Sequence, residues 1–128
     1  MLEVMKTIYK NQVKSIGPMA NTFLDEKMFI LFGNEAPQDL KDFCYSIDVV
    51  NVDEEIQAGQ VLYINNEAFK ITSVGDVVQQ NLTTLGHITL RFDGSTTPEL
   101  PGTLYLEEKE IPSIEPGTEI KIVSEQAS

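Results

Sequence analysis

The chain holds one histidine, one arginine, one cysteine and no tryptophan, so chemistry beyond carboxylates, hydroxyls and amines has few places to reside. His87 and Arg91 lie four residues apart, with Thr89 between them and Asp93 beyond. Side chains alternate faces along an extended strand. These four therefore share one face at steps of ~6.6–6.8 Å, while Ile88, Leu90 and Phe92 point the other way. A neutral imidazole can attack phosphorus, and a hydroxyl and a guanidinium fork can hold phosphoryl oxygens and their charge. That makes His87 the candidate phosphoryl acceptor, with Arg91 and Thr89 as phosphoryl-stabilising residues. An ordinary half-solvated antiparallel strand shows the same alternation. The pattern by itself leaves both open. A predicted helix ends just before His87, and the negative end of its dipole favours a cation there and opposes a phosphoryl group, unless the strand turns the ring aside.

The remaining candidates are weaker. A Ser-His-Asp or Cys-His mechanism would have to use His87, and zinc would find one His and one Cys, so neither is supported and no metal or cofactor is expected. Cys44, between Phe43 and Tyr45, reads as a small buried hydrophobe, because a reactive thiolate needs a cationic neighbour that the local sequence lacks. Asp53, Glu54 and Glu55 lack the spacing of a calcium loop and read as a solvated turn. Met5, Met19 and Met28 read as core filling.

The elements that must position these residues are mostly short and β-type. Residues 2–16 fit a helix by the spacing of Met5, Ile8, Tyr9 and Val13, and a strand by β-branched content; the pattern leaves the choice open. Gly17-Pro18 ends the element either way. Asn21 is placed as an N-cap for a turn running to Lys27. Met28 to Phe32 reads as a buried strand closed by Gly33-Asn34. Pro37 opens a short helix to Phe43, and Tyr45 to Val52 reads as a strand. Gln60 to Ile64 and Ala68 to Val74 flank Asn65-Asn66-Glu67 as a hairpin. Asp76 to Gly86 is the clearest helix: Asp76 as cap, Val78, Leu82 and Leu85 as an apolar stripe, and Gly86 as the left-handed terminator. Strands follow at His87 to Phe92, Thr103 to Leu106 and Glu119 to Val123, with a polar loop from Ser95 to Gly102. Short strands with frequent turns predict a mainly β fold, a small single-domain β-barrel or sandwich with two or three short helices covering open ends. No Gly-rich phosphate loop joins a strand to a helix, which excludes a nucleotide-binding α/β fold.

The 128 residues are 41% hydrophobic, enough for one core and one domain, 1–128. Nine basic against twenty acidic side chains leave a net charge of −11, the wrong sign for nucleic acid or an anionic membrane. One cysteine precludes an internal disulfide framework and points to a reducing compartment. No stretch reaches ~18 apolar residues, and residues 1–10 lack the apolar run of a signal peptide. The expectation is a soluble, cytoplasmic protein.

The run from Leu85 through Gly86, His87, Ile88, Thr89, Leu90, Arg91, Phe92 and Asp93 to Gly94 resembles a hallmark stretch of the glucitol/sorbitol-specific IIA components of the bacterial phosphotransferase system. The likeness extends upstream to Ala36-Pro37, Asp39-Leu40, Phe43-Cys44-Tyr45, Val74-Gly75 and Asn81-Leu82. Downstream it takes in Pro101-Gly102-Thr103, Ile114, Pro116-Gly117-Thr118 and Ile120-Lys121. It therefore covers almost the whole chain in matching order. The resemblance implies a compact, mainly β cytoplasmic phosphocarrier. Such a protein takes a phosphoryl group from HPr onto a histidine and passes it to the IIB component of a membrane transporter for sorbitol/glucitol uptake. In that family the phosphorylated histidine stands three residues beyond the aromatic-flanked cysteine, which here is Ile47. His87 matches a different family histidine. Three expectations follow: a carrier working through His87 with Arg91 and Thr89; a degenerate, non-phosphorylated relative that acts as a binding or regulatory module; or, unrelated to transport, a small-ligand-binding β-domain. An acidic carrier meeting a basic HPr surface implies a salt-sensitive encounter.

Overall fold

A computed structural model describes residues 3–33 and 35–127. Leu2, at the start of the ambiguous N-terminal segment, and Asn34 of the Gly33-Asn34 stop lie outside them. The N-terminal segment is strand: β1 (Glu3–Gln12) followed by β2 (Ser15–Ile16). Its mixed pattern has a physical cause. A bulge between Thr7 and Tyr9 shifts the register against the last strand, so the consecutive residues Ile8 and Tyr9 both face inward, followed by Asn11 and Val13. One extra residue breaks the alternation by which a strand is recognised.

The remaining strands are β3 (Met28–Gly33), β4 (Tyr45–Ile47), β5 (Val61–Ile64), β6 (Glu67–Val74), β7 (Ile88–Arg91), β8 (Thr103–Leu106) and β9 (Glu119–Ala127). They form one sheet in the order β1-β9-β5-β6-β8-β7-β3-β4-β2. The sheet is mainly antiparallel, with parallel pairs at β3/β4 and β7/β8. Its outermost strands, β1 and β2, follow each other in the chain without pairing together, so the barrel option is not realised and the sheet stays open. β6 serves two neighbours: Glu67–Lys70 pair with β5, and Ile71, Ser73 and Val74 pair with β8, with a register shift between Ile71 and Ser73. At the opposite seam the Val13 N–H donates to the Thr118 carbonyl (2.9 Å) and the Lys14 N–H to the Ser46 carbonyl (2.7 Å). The chain itself thus links the two ends of the sheet around a single core. At its centre Phe92 stacks on Phe29 (5.7 Å) and meets Phe69 edge-on (5.0 Å).

Three short helical pieces complete the fold. A 3₁₀ turn spans Ala20–Glu26, α1 spans Gln38–Lys41 and α2 spans Val78–Leu85. Neither expected side-chain cap forms. Asn21 lies inside the 3₁₀ turn, which starts from Met19, and α2 starts from Val77 without a side-chain cap bond. Gly86 does end α2, at φ +67°. Two extents are shorter than the pattern predicts, the first being the helix opened by Pro37, which spans only Gln38–Lys41. The strand from Tyr45 stops at Ile47, because the chain beyond it crosses β1: the Asp48 carbonyl accepts from Asn11 Nδ2 (2.7 Å) and the Asp53 N–H donates to the Ile8 carbonyl (2.8 Å). Met5 and Met19 are each 48% exposed, so they do not fill the core.

Candidate functional site

The apolar side of β7 is as its alternation predicts. Ile88, Leu90 and Phe92 are buried, while His87, Thr89 and Arg91 lie on the opposite, half-buried face. Beside it runs β3, antiparallel, with Ile30 opposite Thr89 and Leu31 opposite Ile88. The run Met28–Phe32 reads as a strand covered on both sides, yet only Phe29, Leu31 and Gly33 are fully buried. Met28, Ile30 and Phe32 share a partly open face. The two short elements over that face, α1 and the 3₁₀ segment, cover it incompletely.

What they leave is a shallow recess of about 390 Å³ lined by Phe23, Ile30, Phe32, Leu40, Phe43, Cys44, His87 and Thr89. The His87 imidazole stacks on Phe32 with ring centroids 4.1 Å apart and planes 22° from parallel. Its Nδ1 lies 3.2 Å from the Leu31 carbonyl oxygen. A carbonyl only accepts, so the hydrogen bond requires the proton on Nδ1 and leaves the Nε2 lone pair available in the neutral ring. The adjacent helix end is less adverse than a bare dipole. The Gly86 N–H donates to the Leu82 carbonyl (3.1 Å) and the His87 N–H to the Asn81 carbonyl (3.2 Å), so two terminal carbonyls already have partners.

Thr89 joins His87 in the recess, and among the described residues nothing hydrogen-bonds its hydroxyl. Arg91 is further along the strand. Its Nε donates to Asp93 Oδ2 at 2.9 Å, and the Ser95 N–H caps the other carboxylate oxygen at 3.0 Å. Of the four polar residues on this face, His87 and Thr89 share the recess, while Arg91 and Asp93 form a separate ion pair. Cys44 is buried as expected: its Sγ donates to the Leu40 carbonyl (3.0 Å), and burial pushes the thiol up to about 11. That is an inert thiol at neutral pH. Ile47 is fully buried on β4, opposite Gly33 in the parallel register.

A second, larger recess of about 680 Å³ lies on the other side of Phe32, lined by Phe32, Glu35, Asp48, Val49, Val50, Thr84 and Leu85. Among the described residues no group of three or more His, Cys, Asp or Glu is placed to hold a metal ion, and no helix is long and apolar enough to cross a membrane. The aromatic and aliphatic lining of both recesses is the part that sequence pattern misses. The one available signal is a five-residue apolar run whose second face has only short helices to cover it.

The open β sheet folded around one core has a solved counterpart among phosphotransferase-system IIA components. The crystal structure of a PTS system IIA component from Enterococcus faecalis matches with a TM-score of 0.74 and 28% identity, over 88% of this chain and 97% of that one. The family described as the PTS system glucitol/sorbitol-specific IIA component matches residues 8–121, and the chain belongs to it. Relatives bearing the name PTS system glucitol/sorbitol-specific EIIA component occur in Shigella flexneri and Escherichia coli. Each is 33% identical over 120 residues, spanning 94% of this chain and 98% of the relative.

Proposed function

We propose that this IIA component is a cytoplasmic phosphocarrier that works through His87. HPr delivers the phosphoryl group: the Nε2 lone pair of His87 forms a new N–P bond as the N–P bond to the donor's phosphohistidine breaks. The group then passes to the IIB component of the sorbitol/glucitol transporter by the reverse sequence. The observation that carries this reading is the Leu31 carbonyl on Nδ1, which fixes the tautomer and leaves Nε2 as the nucleophile. The stack on Phe32 holds the ring plane. The Thr89 hydroxyl, which lines the same recess, can donate to a phosphoryl oxygen. Arg91 contributes its charge at longer range, partly offset by Asp93.

One observation favours a second reading, in which the chain keeps the family's shape as a binding or regulatory module without transfer. Ile47 stands where the family's acceptor histidine is expected, and no side chain there can carry a phosphoryl group. Incubation with phosphoenolpyruvate, enzyme I and HPr, followed by intact-mass measurement of the parent and His87→Gln, separates the two. The carrier gains one acid-labile phosphoryl group and the variant gains none. No gain in the parent, with HPr phosphorylated in the same tube, refutes the carrier and turns the search to binding partners.

A further inference from the structure

The acidic run Asp53-Glu54-Glu55 reads from sequence as a solvated turn, but the fold gives it a floor. The loop that follows runs into β5 and, with Ser124 of β9, bounds a recess of about 460 Å³ lined in part by Glu54, Glu55, Gln57 and Gln60. Ser124 is the unexpected member. Period two puts it on the same face of β9 as Ile120 and Ile122, both in the core. It is 5% exposed, and among the described residues its hydroxyl has no hydrogen-bond partner. Folded chains leave few buried polar groups in that state, and a bound ion is one of the things that accounts for them.

The other walls supply oxygen. Glu55 Oε2 accepts from Gln57 Nε2 at 3.3 Å, a long bond that leaves the Gln57 side-chain carbonyl as a further acceptor. Glu54 Oε2 accepts from Lys6 Nζ at 2.8 Å. The loop backbone is braced on two sides. Gln60 Nε2 donates to the Glu55 carbonyl (3.0 Å), while Gln79 of α2 accepts from the Ile56 N–H (2.8 Å) and donates to the Glu54 carbonyl (3.2 Å).

We propose that this recess binds a hard divalent cation of the calcium type. The Glu54 and Glu55 carboxylates supply the charge, and the Ser124 hydroxyl and the Gln57 carbonyl supply neutral oxygens. Oxygen donors without imidazole or thiolate select a hard cation over zinc or copper. Calcium tolerates the irregular, partly hydrated shell of an open loop, whereas magnesium demands near-octahedral geometry. With two acids the affinity is weak, on the order of millimolar. The Lys6 ammonium competes for Glu54. None of these residues lines the His87 recess, and the site stands or falls apart from the carrier reading.

The test is an amide NMR titration of the isotope-labelled chain with calcium chloride, beside potassium chloride at matched ionic strength. The parent is compared with Glu55→Gln, Ser124→Ala, Lys6→Gln and Lys27→Gln. Lys27 pairs with Glu108 outside this recess, so its neutralisation changes net charge as Lys6→Gln does without touching the site. Expected in the parent are saturable shifts centred on residues 54–60 and Ser124, produced by calcium and not by potassium. Glu55→Gln should bind roughly ten-fold more weakly and Lys6→Gln roughly ten-fold more tightly, because affinity follows the charge at the site. Ser124→Ala should weaken binding several-fold, and Lys27→Gln should match the parent. Shifts that do not saturate, that spread over the acidic surface, or that potassium reproduces would overturn the site. So would parent-like affinity in Ser124→Ala, which leaves the hydroxyl hydrated and no more, or equal gains from Lys6→Gln and Lys27→Gln.

Discussion

Gly33 is where β3 passes under the end of α2, and replacing it with alanine tests how rigidly that contact sets His87. A methyl group at Gly33 would lie 2.6 Å from the Leu85 carbonyl oxygen and 2.7 Å from Val49 Cγ2. Contact distances between such atoms run near 3.5 Å, so the shortfall is roughly 0.8 Å. The valine methyl can rotate, but the carbonyl belongs to the last turn of a helix and can only move with it. Gly33 does not sit at positive φ, so alanine adds no backbone strain and the cost is wholly steric. Overpacking of this kind costs ~1–3 kcal/mol. At this chain length that lowers the melting temperature by roughly 4–12 °C. Since His87 follows directly after Gly86, the displaced turn should also pull Nδ1 from the Leu31 carbonyl, visible as a change in the imidazole NMR signals. Gly102→Ala is the control: it also lacks positive φ and meets nothing within 4 Å, so it should be neutral or stabilising by ~0.4–1 kcal/mol. Urea unfolding of both variants is the assay. Equal stabilities for the two would refute the claim that β3 and α2 are locked at this crossing.

Leu82 is fully buried on α2 whereas Leu85 is 47% exposed, so Leu82→Ala should cost ~2–5 kcal/mol in urea unfolding and Leu85→Ala within ~0.5 kcal/mol. Cys44, pushed by burial from 9.0 to about 11, should react with a thiol reagent at pH 8 about a hundred-fold more slowly in the folded chain than in urea; equal rates would mean that the recess exposes the sulfur. Burial raises the Tyr9 phenol from 10.0 to about 12, with the hydrogen bond from Asn11 opposing the shift. A raised folded-state value means the stabilisation is complete below pH 10 and is lost as pH rises through about 12, up to roughly 3 kcal/mol. Alkaline unfolding followed for the parent and Tyr9→Phe should therefore show a shallower pH dependence in the variant.

The inward and outward faces of β7 are legible because Ile88 to Phe92 alternates without interruption, and the end of α2 is legible because Gly86 meets a conformational requirement few residues satisfy. The first strand is not, since its bulge at Ile8 removes the alternation. The caps fail for a related reason: Asp76 and Asn21 have suitable side chains, but tertiary packing sets where each helix begins. His87 and Thr89 share a face because period two requires it. Where Arg91 turns is decided by Asp93, one hydrogen bond that a strand template does not contain. The recess is least legible of all, since its walls come from four separate elements that only the folded chain brings together.

The pairing of β1 with β9 has a consequence for how the chain is made. Glu3 lies opposite Ala127 and Gln12 opposite Glu119, so the strand synthesised first finds its ladder partner only when the last one leaves the ribosome. Until then β1 carries Ile8 and Tyr9 without the partner that buries them, and no amount of early local structure can complete the sheet. Non-local closure of this kind slows folding and lengthens exposure to wrong partners. Production of this protein in cells is therefore governed by what shields β1 until β9 has been made, as much as by the stability of the finished fold.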